Sequence, residues 1–288
     1  MQRERIADNV YSLQSEVYAQ VTAGVVVGPN WAVVIDTLAL PEETYAIRDF
    51  IEQELNVPVR YVINTHYHAD HAWGNYFFPG SVIIAHTVCR EWLLKYGLPS
   101  LEEASNENPS FRNVKIVLPQ VTFSHGQISL KVGKKTLTIF PLPGHSRDNV
   151  AVLVEEDRVL FAGDTCMPIP YIVDGSIDDM EASLKLLETI GLENLVQGHG
   201  DIVLRGEVAG YVTENLAYLS AIRKAVRKAS RRKFPQDLLD KIGVEDCGKS
   251  RVLLGGLAEE LHKRNLRALY YQTYGEYPLA SEEENGYY

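Results

Sequence analysis

Thr65-His66-Tyr67-His68-Ala69-Asp70-His71 places four potential metal ligands within six residues, and no other stretch of the 288-residue chain is comparably dense. With 8 histidines in the chain, chance yields His-x-His-x-Asp-His on the order of 3 times in 10,000 such sequences. Residues two apart on an extended segment point the same way, so His66 and His68 can grip one cation. Asp70 and His71, one turn onward, can serve a second. Imidazole and carboxylate suit Zn²⁺, Fe or Mn²⁺, and the lack of a neighbouring cysteine argues against a thiolate-lined structural site.

Working outward, Val59 to Asn64 is a short β-branched run after Pro58 and reads as a buried strand that delivers Thr65 and His66 at its C-terminal end. Before it, Val25–Val27 and Ala32–Asp36 flank Gly28-Pro29-Asn30 as a hairpin, and Pro41–Leu55 carries a helical stripe through Ala46, Ile47, Phe50 and Ile51. After it, Ser81–Ala85 reads as a strand, Thr87–Tyr96 as a helix, and Gly97–Pro109 as a polar surface insertion. Strands are expected at Thr136–Pro141, Val150–Val154, Val159–Ala162 and Leu195–Val196.

Three islands, Pro143-Gly144-His145-Ser146, Phe161-Ala162-Gly163-Asp164-Thr165 and Gln197-Gly198-His199-Gly200, each put a ligand type just beyond an expected strand. Their glycines let the backbone turn sharply and come close to a metal centre. Ser176 or Asp178 caps a helix that Gly191 stops, and a long amphipathic helix runs from Glu207 to Ser230. Ser281–Tyr288 is a polar tail expected to be poorly ordered. This order suggests mixed sheets covered by helices rather than regular βαβ alternation.

Apolar residues make up 45% of the chain and charged ones 23%, an ordinary globular composition. The net charge of −10 disfavours broad capture of nucleic acid. The basic run Arg223, Lys224, Arg227, Lys228, Arg231, Arg232 and Lys233 reads as a solvated helix face. No run approaches the roughly 18 apolar residues of a membrane helix, and the opening residues do not lead into a segment of signal-peptide type. Cys89, Cys166 and Cys247 are far apart, which suits free thiols in a reducing cytoplasm.

Through His66-x-His68-x-Asp70-His71, then His145, Asp164 and His199 in that order, the chain resembles the metallo-β-lactamase superfamily over roughly Asn9 to Ile202. The resemblance implies a four-layer αββα sandwich of the α+β (α/β) type with the metals at one edge between the sheets. Residues 1–206 would form that domain, and 207–288 a helical extension packed on it rather than an independent domain. His66, His68 and His145 would bind one metal, Asp70, His71 and His199 the other, and Asp164 would bridge them. A bridging Asp is similar to the glyoxalase II and lactonase branches.

The implied activity is that of a binuclear hydrolase of esters, lactones or thioesters, with two divalent ions, Zn²⁺ first and Fe or Mn as alternatives. Ions about 3.5–4 Å apart share a water, make hydroxide at neutral pH and aim it at a carbonyl. Asp70 would orient that hydroxide, and Tyr171 would donate to the oxyanion, against the plainer reading of a packing tyrosine. Asp36, His86 and Asn149 are candidates for hydrogen bonds around the ligands, against the plainer readings of a cap, a satisfied buried histidine and a loop brace. The alternatives are a mononuclear iron enzyme of persulfide-dioxygenase type, an RNA-processing nuclease, weak β-lactam hydrolysis and a non-catalytic metal-stabilised module. A small molecule is the expected partner, with no membrane and with a homodimer left open.

Overall fold

A computed structural model describes residues 1–275, so the tail Ser281–Tyr288 lies outside the described residues. The chain opens as an antiparallel meander of β1 (Gln2–Ala7), β2 (Val10–Gln14), β3 (Thr22–Val27) and β4 (Ala32–Ile35), the last two being the hairpin around Gly28-Pro29-Asn30. Helix α1 (Pro41–Asp49), extended by a wider turn to Glu54, leads to β5 (Val59–Ile63), which pairs parallel with β4. Pro41 sits in the first turn, where a missing N–H costs nothing. The short α2 (Ala69–Ala72), β6 (Val82–His86), α3 (Thr87–Trp92), α4 (Leu98–Glu107) and β7 (Val121–Phe123) follow, and β5, β6 and β7 are parallel. Together they make a seven-stranded sheet in the order β1 to β7.

Strands β8 (Ile128–Val132), β9 (Lys135–Pro141), β10 (Val150–Val154) and β11 (Val159–Phe161) form a second antiparallel meander. Helix α5 (Ile177–Ile190), capped by the Ser176 side chain and stopped by Gly191 at φ 71°, crosses over to β12 (Asn194–Val196), which is parallel to β11. Strand β13 (Val203–Leu204) closes the six-stranded sheet. Helices α6 (Val208–Ala229), α7 (Pro235–Leu239) and α8 (Ala258–Tyr274) complete the described chain. None of its helices is long and apolar enough to cross a membrane.

Side-chain alternation explains why the sheets stack. In β4, Val33 and Ile35 point to the partner sheet while Val34 points out; in β10, Val150, Val152 and Val154 point in while Ala151 and Leu153 point out. The inner residues meet Ile63, Ile84, Leu137, Ile139, Phe161 and Val196 between the sheets. Outward, Val25, Val34 and Val62 pack on Ile47 and Ile51, whereas Leu153, Leu160 and Leu195 pack on Met180 and Leu184 of α5, on Val212, Leu219 and Ile222 of α6 and on Leu266 of α8. The layers are therefore helix, sheet, sheet, helix. Each fully buried aliphatic side chain contributes about 1.5–3 kcal/mol, so strands apolar on both faces are what such a stack requires.

One expectation is corrected. Gly97–Pro109 is not an irregular insertion but largely helix α4, in which Pro99 occupies the first turn and Leu101 is the buried anchor.

Candidate metal centre

Four connections bring the polar residues to one edge of the sandwich. His66 and His68 leave the C-terminal end of β5, and Asp70 and His71 ride on α2. His145 follows β9, Asp164 follows β11 and His199 follows β12. They form two groups, His66, His68, His145 and Asp164 in one and Asp70, His71 and His199 in the other, with the ligand-type atoms of each group within 4.8 Å of one another. Asp164 stands between the groups: its carboxylate lies 3.7 Å from Nε2 of His66 and of His145, 3.2 Å from Nε2 of His71 and 3.4 Å from Nε2 of His199.

The inner ring nitrogens have the spacing of ligands around a cation. His68 Nδ1 lies 3.0 Å from both His66 Nε2 and His145 Nε2. Tetrahedral nitrogens about 2.0–2.1 Å from Zn²⁺ would sit roughly 3.3 Å apart. The buried His71 Nε2 and Asp164 Oδ1 have no hydrogen-bond partner, although they face each other. Both atoms turn toward the same buried space, the arrangement that suits a cation between them.

Every ring is held from behind by an acceptor on its other nitrogen. His71 Nδ1 donates to Asp36 Oδ2 (2.9 Å), His145 Nδ1 to the Tyr171 carbonyl (2.8 Å), His199 Nδ1 to the Ala19 carbonyl (2.8 Å) and His68 Nε2 to Asp174 Oδ2 (2.8 Å). His66 Nδ1 donates to Thr65 Oγ1 (3.0 Å), which itself donates to Asp36 (2.7 Å). These acceptors put the ring proton on the outer nitrogen and leave the inner lone pair free, the tautomer a metal needs.

A sequence model of the metallo-β-lactamase superfamily matches residues 18–226. The chain belongs to the metallo-β-lactamase superfamily. It is a hydrolase of that superfamily, and its His/Asp groups fit divalent metal ions. The thioesterase pkgB of Emericella nidulans is 25% identical over 189 residues, 64% of this chain and 48% of that protein, so the match spans about half of that relative. The acyl-coenzyme A thioesterase MBLAC2 of Homo sapiens is 25% identical over 244 residues, 75% of this chain and 84% of that protein. The sec-alkylsulfatase Pisa1 from Pseudomonas sp. superposes with a TM-score of 0.74 at 16% identity over 96% of this chain and 50% of that one, a likeness of fold.

In this superfamily member the two groups differ in charge. Burial lowers the His145 pKa to about 4, with Asp164 opposing and His68 assisting. Burial also opposes a charge on His199, but Asp164 and Asp70 outweigh it and push the pKa to about 10; the same two carboxylates hold His71 well above its ordinary value. Burial would raise Asp70, yet His71 and His199 bring it down to about 2. With no metal bound, His199 is therefore cationic at pH 7.5 and His71 is pushed the same way, so a metal must displace protons to bind. We expect zinc uptake to release protons at pH 7.5, and metal affinity to rise with pH until about 10. Titration calorimetry in buffers of different ionisation enthalpy checks this; zero release contradicts it.

Asp36 touches the cluster's supports, accepting from the Thr65 N–H and hydroxyl (both 2.7 Å) and from His71. Asn149 braces strand ends, donating to the carbonyls of Leu142, Val150 and Ala162. His86 is corrected: its ring accepts from the Val88 N–H at the start of α3 and faces the Ser124 carbonyl, so it caps a helix away from the ligands. Tyr171 fits its plainer reading as a packing residue: its ring lies 5.5 Å from that of His145, its carbonyl holds His145 and its hydroxyl lies 3.5 Å from Arg264.

Three residues escaped the sequence reading. Asp174 accepts from both His68 and the Tyr67 hydroxyl (2.9 Å). Tyr18 feels Asp70 more strongly than any other influence, which with burial raises its pKa to about 12. Asn265 belongs to α8 and grips the loop around Tyr171. Their partners lie far away in sequence, so no motif signals them.

Proposed function

We propose that the protein hydrolyses carboxylic thioesters, with esters and lactones as neighbouring chemistry, and that it works with two Zn²⁺ ions. His66, His68 and His145 would hold one ion, Asp70, His71 and His199 the other, and Asp164 both. The observation that carries this reading is the position of Asp164, within 3.2–3.7 Å of ring nitrogens from both groups. Bound there, paired cations supply a water acidified to a pKa of about 7 and a polarised acyl carbonyl. The remaining work falls to the chain. Asp70, with 14% of its side chain exposed, is placed to orient the water and take its proton.

Both pkgB and MBLAC2 are named as thioesterases, and that supports putting thioesters first. Three buried free thiols suit a reducing compartment such as the cytoplasm. The test uses zinc-quantified protein with acyl-coenzyme A thioesters, lactones, a β-lactam and structured RNA. Thiol release from the thioesters, abolished by EDTA and restored by Zn²⁺, is expected. Protein carrying two zinc ions per chain yet inert toward every thioester overturns the reading.

A further inference from the structure

We infer that Asn265 is a positioning residue for His145, so that helix α8, which lies beyond the residues matched by the superfamily model, is a working part of the metal centre. The inference rests on the proposed metal-binding role of His145. It starts from one peptide plane. Asn265 is fully buried, and its Oδ1 accepts from the Ile172 N–H at 2.9 Å. That N–H shares a rigid trans peptide unit with the Tyr171 carbonyl, and that carbonyl accepts the Nδ1 proton of His145 at 2.8 Å. The plane is therefore held at both ends, by Asn265 on one side and His145 on the other.

The neighbouring plane is held too, because Asn265 Nδ2 donates to the Pro170 carbonyl at 2.6 Å. A carbonyl accepts only, so the orientation of the amide is unambiguous. Its second N–H goes to the Tyr218 hydroxyl at 3.0 Å, and that hydroxyl meets His262 Nδ1 at 3.0 Å. Helices α6 and α8 thus fix the amide, the amide fixes the loop, and the loop fixes which nitrogen of His145 carries the proton. Rotation of the Tyr171–Ile172 plane would remove that acceptor and let the proton move to Nε2, the nitrogen that faces His68 and Asp164. Loss of such an orienting partner typically costs 10–100-fold in metal affinity.

Stepwise zinc titration of the full-length chain tests this with Asn265→Ala, the near-isosteric Asn265→Asp, His145→Ala and the double variant His145→Ala/Asn265→Ala. The step weakened in His145→Ala identifies that position. Asn265→Ala should weaken the same step about 10–100-fold and spare the other, and should add nothing further in the His145→Ala background. Should Asn265→Ala fail to fold, Asn265→Asp, which keeps the acceptor but faces Pro170 with an oxygen, is expected to weaken the same step. Equal weakening of both steps, or normal binding by whichever variant folds, overturns the inference while leaving the functional reading intact. A wild-type chain that binds no zinc overturns the functional reading itself, and this inference with it.

Discussion

Asp164→Asn is expected to empty both ligand groups of metal and to lower hydrolysis by at least about 1,000-fold, a larger effect than any single histidine substitution. The amide matches the carboxylate in shape, so the change is almost purely one of charge and donor character. Asp164 is 4% exposed and faces four ring nitrogens from both groups. Two dications bring four positive charges against the two carboxylates Asp70 and Asp164, and a buried excess is expensive. Removing one carboxylate would worsen that excess, and in the proposed centre its oxygens would serve both ions. Orienting partners alone are worth 10–100-fold, so a shared ligand must be worth more. His199→Ala should instead weaken one binding step only. Metal content by mass spectrometry and the rate of thiol release check both; Asp164→Asn protein that still holds two ions per chain contradicts the bridging assignment.

The metal-free form gives the same substitution a second signature. Folded-state pKa values of His199 and His71 lie above the unfolded value of about 6.5, so their stabilisation is fully present below that pH and fades as pH rises through about 10 for His199. Asp164 is the largest charge partner of both groups. Metal-free Asp164→Asn should therefore lose stability relative to the parent chiefly below pH 10, with the difference narrowing above it.

What could be read in advance follows from how each residue is coupled to its neighbours in sequence. His66 to His71 lie in one short segment, and His145, Asp164 and His199 each sit beside glycines just past a strand, so local pattern sufficed to gather them. The buried strands were legible for the same reason, since β4 and β10 are continuous apolar runs and β5 is broken only by Arg60. Strand β1 was not, because Gln2–Ala7 is a charged, largely exposed edge whose only strand partner is β2. Helix α4 was hidden by Pro99 and its asparagines, which mark a turn in sequence but are tolerated at helix ends. His86 shows the converse error: a histidine ending a strand carries the same signal as His145, yet its partners are Val88 and Ser124. Asp174 and Asn265 act on partners 106 and 93 residues away, and no spacing encodes a contact that only the folded sandwich creates.

Gly198→Ala is expected to be among the most damaging single-methyl changes at the described glycines, and the one that strikes the metal ligands directly. Gly198 and Gly200 flank His199, but they are glycines for different reasons. Gly200 adopts φ +89°, a conformation that side chains resist. Gly198 needs space: a Cβ there would stand 1.9 Å from Asp164 Oδ1, 2.7 Å from the Gly163 carbonyl carbon and 2.8 Å from the Asp164 nitrogen. Two of those atoms are backbone, and Gly198 is tied to that backbone by its own N–H, which reaches the carbonyls of Gly163 and Cys166 at 3.0 Å. Its carbonyl accepts from the Thr22 N–H at 2.8 Å, so retreat in the other direction breaks the link to β3. The methyl must then push Asp164 away from His199 and His71. Overpacking of this kind costs about 1–3 kcal/mol, and the displaced carboxylate should cost most of the bound zinc. Gly206→Ala is the matching control, because nothing lies within 4 Å of a Cβ at that position. Zinc content and thermal unfolding of the two variants should separate completely. A Gly198→Ala protein with parental metal and melting temperature would mean that the loops after β11 and β12 are not packed together as tightly as the bridging role of Asp164 demands.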